Sequence, residues 1–192
     1  MKAKTFVTIL FIALFYSAFS QKLPRIVMKS SFGSSTCEIA PVQAPVTAQN
    51  FLNHIKLKTY SDAVFYRVVR LDNQPNSKVK IEVIQGGLYA DEKIDRQPPI
   101  PHETTKITGL KHLDGTISMA RNEPGTASTE FFICVGDQPE LDFGGSRNGD
   151  GQGFAAFGKV IKGMDVVHKI QQQKDTSQYL VEPVKIQIEE AP

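Results

Sequence analysis

Residues 118–136 read SMARNEPGTASTEFFICVG: a short apolar run, a polar Gly/Thr/Ser loop, then a second run with two adjacent phenylalanines. Neighbouring side chains on a strand point to opposite faces. Phe131 and Phe132 therefore cannot both enter one core. One of them faces outward, either under a covering helix or loop or into a shallow apolar hollow on an outer wall.

Working outward, strand-like runs recur at short spacing. Arg25–Ser30 and Ser35–Ile39 read as a hairpin around Phe32-Gly33-Ser34. Further strands are predicted at Val64–Val69, Val79–Ile84, Thr116–Ala120, Phe131–Val135, Phe154–Ile161 and Val184–Ile188. Ala44-Pro45 opens a helix running to Lys56, because proline suits the first helical position. Val46, Phe51, Leu52 and Ile55 give it an apolar face. A second short helix is predicted over Met164–Gln172. Asp91–Thr108 reads as irregular and Asp142–Gly153 as a glycine-rich loop. Many short strands with turns between them imply a mainly β antiparallel barrel or sandwich.

The 192 residues carry a formal charge of +2. Met1–Lys4 is basic, Thr5–Phe19 is uncharged and mostly apolar, and Ala18-Phe19-Ser20 supplies small residues for cleavage before Gln21. Residues 1–20 thus read as a secretory signal peptide and 21–192 as one domain. Losing Lys2 and Lys4 leaves the mature chain formally neutral. With no basic run, it offers no electrostatic footprint for nucleic acid. No second apolar stretch is long enough to span a membrane. Cys37 and Cys134 are both in apolar runs and read as buried free thiols.

Two further features break the pattern. Arg67 sits among Val64, Phe65, Val68 and Val69. It is either an exposed arginine covering apolar surface or a fixed cation beside an apolar hollow. Gln85 ends a strand before Gly86-Gly87 and can accept from a guanidinium while donating elsewhere. Other signals carry less. Gly153–Lys159 has phosphate-loop spacing, but Val160 replaces the required hydroxyl residue. Asn148-Gly-Asp-Gly151 lacks the distal acid of a calcium loop. The four histidines show no ligand spacing.

Taken together and in order, Phe65-Tyr66-Arg67-Val68-Val69, Val83-Ile84-Gln85-Gly86-Gly87, Ile117-Ser118-Met119-Ala120, Phe131-Phe132-Ile133 and Phe157-Gly158-Lys159-Val160 resemble the cyclophilins, as does Gly163-Met164-Asp165-Val166-Val167. The resemblance spans nearly all of Arg25–Ile188, and in its short length and signal peptide the chain is similar to bacterial exported members. It implies a closed eight-stranded antiparallel β-barrel capped by two α-helices, with peptidyl-prolyl cis-trans isomerase activity. It implies catalytic roles for Arg67, Gln85 and Phe132. It places Phe65, Tyr66, Val83, Met119, Ala120, Arg121, Glu130, Leu141 and Phe154 in the substrate groove. No cofactor or metal is implied. The expected partners are proline-containing segments of unfolded or exported proteins. The expected state is a monomer, in the periplasm or secreted.

The chain departs from the family at Tyr66, Glu82, Glu130, Glu140 and Phe154, and the segments Leu71–Lys80 and Phe143–Gly153 are longer than in compact members. Glu82, Glu130 and Glu140 also raise a rival expectation, a non-catalytic module whose acids dock basic or proline-containing segments.

Overall fold

A computed structural model describes residues 22–191; the expected leader and its expected cleavage point lie outside them. In chain order the elements are β1 (Arg25–Ser30), β2 (Gly33–Ile39), α1 (Pro45–Lys56), β3 (Val64–Val69), β4 (Val83–Gly87), α2 (Asp91–Ile94), α3 (Thr105–Thr108), β5 (Thr116–Met119), β6 (Phe131–Cys134), β7 (Ala155–Lys162), α4 (Met164–Gln171), β8 (Asp175–Thr176), β9 (Tyr179–Lys185) and β10 (Gln187–Glu190). The strands form one antiparallel sheet in the order β10-β1-β2-β7-β5-β6-β4-β3-β9-β8.

This corrects the expected barrel in two respects. Among the described residues there are ten strands, and the hydrogen-bonded order is open, with β10 and β8 at its ends. The predicted last strand divides at Ile186. Before it, Val184 and Lys185 pair with Phe65 and Val64; after it, Gln187 and Ile188 pair with Lys29 and Met28. Ile186 itself donates to the Ala63 carbonyl at 3.0 Å. One residue thus carries the chain between opposite ends of the order, which requires a strongly curled sheet. The helices also number four rather than two among the described residues. α2 and α3 are single turns within the stretch expected to be irregular.

The fourth strand is displaced as well. It runs Val83–Gly87, not Val79–Ile84. Side-chain amides hold the backbone before it: Gln74 bonds both the N–H and the C=O of Ile81, and Gln138 accepts from the N–H of Glu82 at 3.2 Å. Those groups therefore need no strand partner. Gly87 fits the ladder at φ 146, where an added Cβ would collide with the Glu130 carboxylate.

The curled sheet buries Phe51, Phe131, Phe157, Ile117 and Ile133 on its inner side. Phe51 meets Phe131 edge-on at 5.3 Å and Phe157 at 4.9 Å. α1 starts where it does because Glu103 supplies the missing cap. Its carboxylate accepts from the N–H groups of Val46 and Thr47 at 3.1 and 2.7 Å, and from the Thr47 hydroxyl at 2.6 Å. An anion there meets the free amides and the positive end of the helix.

A second, smaller apolar cluster lies on the outer side of the wall: Val69, Ile81, Val83, Phe132, Cys134 and Leu141, with Ala120 and Phe154 against it. Phe131 thus belongs to the inner cluster and Phe132 to the outer one.

The two cysteines are buried free thiols, Cys37 in the inner cluster and Cys134 in the outer. Burial pushes the Cys37 thiol up to about 12 and raises Cys134 also. Neither should react with a thiol-specific disulfide reagent in the native protein at about pH 8, because the thiolate is the reactive form. Both should react once denaturant is added, and a rapid native reaction would contradict the burial.

Candidate active site

A β-bulge builds the site. Phe65 pairs with Gly86, but the next pair across the ladder is Arg67 with Gln85, so Tyr66 is an extra residue in β3. The shift recurs on the other side, where Phe65 pairs with Val184 and Arg67 with Tyr179. Without the bulge, Tyr66 and Arg67 would point to opposite faces. With it, Phe65 and Val68 stay in the inner core while Tyr66 and Arg67 both line the outer wall.

There they border a hollow of about 340 Å³. Of the residues expected at the site, Arg67, Gln85, Phe132, Tyr66, Val83, Ala120, Arg121, Leu141 and Phe154 line it. Three do not. Phe65 lies on the inner side of the bulge, in the core against Phe131. Met119 sits opposite Phe131 in the ladder and is fully buried with it. Glu130 Oε1 accepts from the Leu88 N–H at 2.6 Å, and its carboxylate lies beside Tyr66 at the edge of the hollow rather than in its lining. Its Oε2 has no hydrogen-bond partner among the described residues. Burial accordingly pushes this carboxyl above its usual range.

A larger hollow of about 960 Å³ lies at the far end of α1, lined by Lys56, Lys58, Tyr60 and Lys185 among others. It contains none of the outer-cluster residues and none of the residues expected at the site.

Phe132 presents its ring among Val83, Leu141 and Ala120, with the Phe154 ring edge-on at 5.3 Å. Beneath it the His112 ring stacks at 5.9 Å. His112 Nε2 is 3.0 Å from the Ser118 hydroxyl and Nδ1 is 2.8 Å from Asp142. Burial would raise Asp142, but hydrogen bonds from the His112 ring and backbone hold it below the usual carboxylate range. The order Ser–His–Asp matches that of a hydrolase, yet Ser118 is 0% exposed and sealed under Phe132. No substrate carbonyl can reach it, and the network serves to seat the phenyl ring.

Above this floor stands Arg67. Its Nη1 donates to Gln85 Oε1 at 2.8 Å, and Nε and Nη2 both donate to Gln178 Oε1 at 3.1 and 2.5 Å. Gln85 Nε2 in turn donates to the Tyr66 hydroxyl at 2.7 Å. A guanidinium has five N–H groups, so one on Nη1 and one on Nη2 remain. Both partners are neutral amides, and Arg67 forms no ion pair among the described residues. The cation is fixed in direction but keeps its full charge. Arg121 differs: it pairs with Asp150 at 2.8 and 3.0 Å and donates to the Gly153 carbonyl, forming a wall rather than a free donor.

The family motifs did not point to Gln178. It sits in a left-handed turn, with Ser177 at φ 51 and Gln178 at φ 76, and no glycine marks that turn. Its N–H donates to Asp175 Oδ2 at 2.9 Å, and Asp175 is clamped by Arg70 and Asn73. Burial would raise Asp175, but Arg70 and the Gln178 amide hold it below its ordinary 3.8. Its contribution to stability is therefore present above that value and lost as pH falls through the lower folded value. The melting temperature of the wild type should drop by several degrees between about pH 5 and about pH 3, and that of Asp175→Asn by less. Circular dichroism melts would show this, and identical slopes would remove the assignment.

The family profile described as cyclophilin type peptidyl-prolyl cis-trans isomerase/CLD matches residues 25–191. The chain is a cyclophilin. It is 35% identical over 158 residues to a peptidyl-prolyl cis-trans isomerase of Acinetobacter baylyi, covering 82% of this chain and 77% of that one. It is 34% identical over 129 residues to peptidyl-prolyl cis-trans isomerase B of Escherichia coli, covering 67% and 72%. A crystal structure of a Cryptosporidium parvum cyclophilin shares its fold at a TM-score of 0.70 and 20% identity, covering 89% of this chain and 99% of that one. The same parasite protein was also solved in the presence of the dipeptide Ala-Pro, matching at 0.69. This cyclophilin is accordingly a peptidyl-prolyl cis-trans isomerase. Its acids Glu82, Glu130 and Glu140 do not line the hollow, which removes the basis for an acidic docking module.

Proposed function

We propose that this cyclophilin twists X–Pro bonds by seating the proline ring on Phe132 and donating to the imide nitrogen from Arg67. The reaction breaks no covalent bond. Its barrier of ~18–20 kcal/mol is the loss of amide resonance, and uncatalysed exchange takes tens of seconds or longer. In the twisted amide the prolyl nitrogen regains a lone pair. A donor aimed at that nitrogen bonds the transition state more strongly than either planar form, which lowers the barrier.

The observation that carries this reading is the guanidinium held by two neutral amides, with spare N–H groups, beside an apolar floor. Val83 and Leu141 would grip the ring, and the carbonyl of the preceding residue would swing past Ala120 and Arg121. Tyr66 orients Gln85, and Gln85 and Gln178 together orient Arg67.

A crystal structure with an X–Pro peptide tests the arrangement. The ring should lie on Phe132 with an Arg67 nitrogen facing the prolyl nitrogen; a ring seated elsewhere overturns it. We further propose that the protein acts as a monomer on proline-containing segments of exported proteins, in the periplasm or secreted, after loss of residues 1–20. Recovery from the extracytoplasmic fraction of a chain beginning at Gln21 would support this, and retention of Met1 would not.

A further inference from the structure

Segments 71–80 and 143–153 meet beside the hollow, and Arg147 joins them. Its Nη1 donates to Gln74 Oε1 at 3.2 Å, the Ser77 hydroxyl at 2.7 Å and the Val79 carbonyl at 2.6 Å. Gln74 is itself buried and fixed to the Arg70 and Ile81 carbonyls, both at 2.7 Å. One edge of the guanidinium is therefore anchored. Nε and Nη2 have no acceptor among the described residues, and Arg147 lines the hollow.

Charge makes this arrangement unusual. Arg147, like Arg67, touches only neutral acceptors and forms no ion pair among the described residues. The third arginine of the lining, Arg121, is neutralised by Asp150. No Asp or Glu lines the hollow. Burial and then the charge of Arg67 pull Arg147 below its usual range, as expected for two cations sharing a hollow without a counterion.

We propose that Arg147 is an anion-reading residue of the groove, selecting substrates that carry Asp or Glu beside the proline. Its free Nε and Nη2 match the two oxygens of a carboxylate. Arg67 adds to the attractive field while its own spare N–H groups serve the imide. The assignment rests on the isomerase geometry above.

The test uses peptides identical except for Glu, Gln or Lys on either side of the proline, with isomerisation followed by NMR exchange and affinity by titration. The Glu peptide should exceed the Gln peptide in kcat/KM by about fivefold, the scale of a partly exposed ion pair. The Lys peptide should fall below both. The advantage should reside in KM and shrink as salt rises. Arg147→Leu should bring Glu and Gln to parity, and Arg147→Lys should keep part of the preference. Parity in the wild type, or a preference that survives Arg147→Leu, overturns the proposal. Should the leucine variant not fold, the salt dependence of the wild type and the lysine variant decide in the same way. Tighter binding of the Glu peptide without turnover of any peptide would leave the subsite standing and sink the isomerase geometry instead.

Discussion

Arg67→Ala should lower kcat/KM by about 10²–10³-fold, the usual loss when one preorganised transition-state donor is removed. The fall should appear in kcat more than in KM, because the bond to the prolyl nitrogen strengthens only as the amide twists. Stability should change little. Arg67 is half-buried, and its partners Gln85 and Gln178 are amides that water can satisfy once the guanidinium is gone. Arg67→Lys should recover only a small part of the activity. A single ammonium cannot bridge both flanking oxygens and still present spare donors. Equal rates for wild type and Arg67→Ala, measured by exchange spectroscopy on one X–Pro peptide, would end the proposed mechanism.

The second large effect separates two neighbours in the chain. Phe131→Ala should cost about 3–5 kcal/mol of stability. Its ring is 0% exposed and meets the rings of Phe51, Tyr60 and Phe65 within 6.0 Å, so its removal leaves a closed apolar cavity. For a domain with about 5–15 kcal/mol in total, that is a large share. Phe132→Ala should destabilise less, since the space it leaves opens onto the hollow and water can enter. Its larger effect should be on activity. At about 0.8 kcal/mol for each buried methylene, losing the seat of a three-methylene proline ring amounts to about 2 kcal/mol, or roughly 30-fold in kcat/KM. Urea unfolding and peptide isomerisation on both variants would check the pair. The idea fails if Phe131→Ala is the worse catalyst at temperatures where both are folded.

The acids show where reading residues one by one misleads. The resemblance places Glu130, just before the paired phenylalanines, in the groove, and the rival docking reading adds Glu82 and Glu140. In the fold, Glu130 caps the Leu88 amide and Glu140 accepts from the Ser146 N–H at 2.8 Å. The groove is left cationic. Which side of a strand a carboxylate finally faces depends on where it finds free amides, and those amides come from segments far away in sequence.

Several features follow from the chain alone. The clash of Phe131 with Phe132 on a two-sided strand, the isolated Arg67 among valines and the glutamine before Gly86-Gly87 are local facts. They point to a two-faced β wall and a candidate cation, and the family becomes legible only when they are read in order with the further motifs through Gly163-Met164-Asp165-Val166-Val167. They work because alternation and backbone sterics act over one or two residues. Tertiary structure decided the rest. The bulge that turns both Tyr66 and Arg67 outward, the division of the last strand at Ile186, the aiming of Arg67 by Gln178 and the arrival of Arg147 all depend on pairings between segments far apart in the chain. Register and side-chain partnership across such separations are set by which packing satisfies every buried amide at once, and no local pattern encodes that choice.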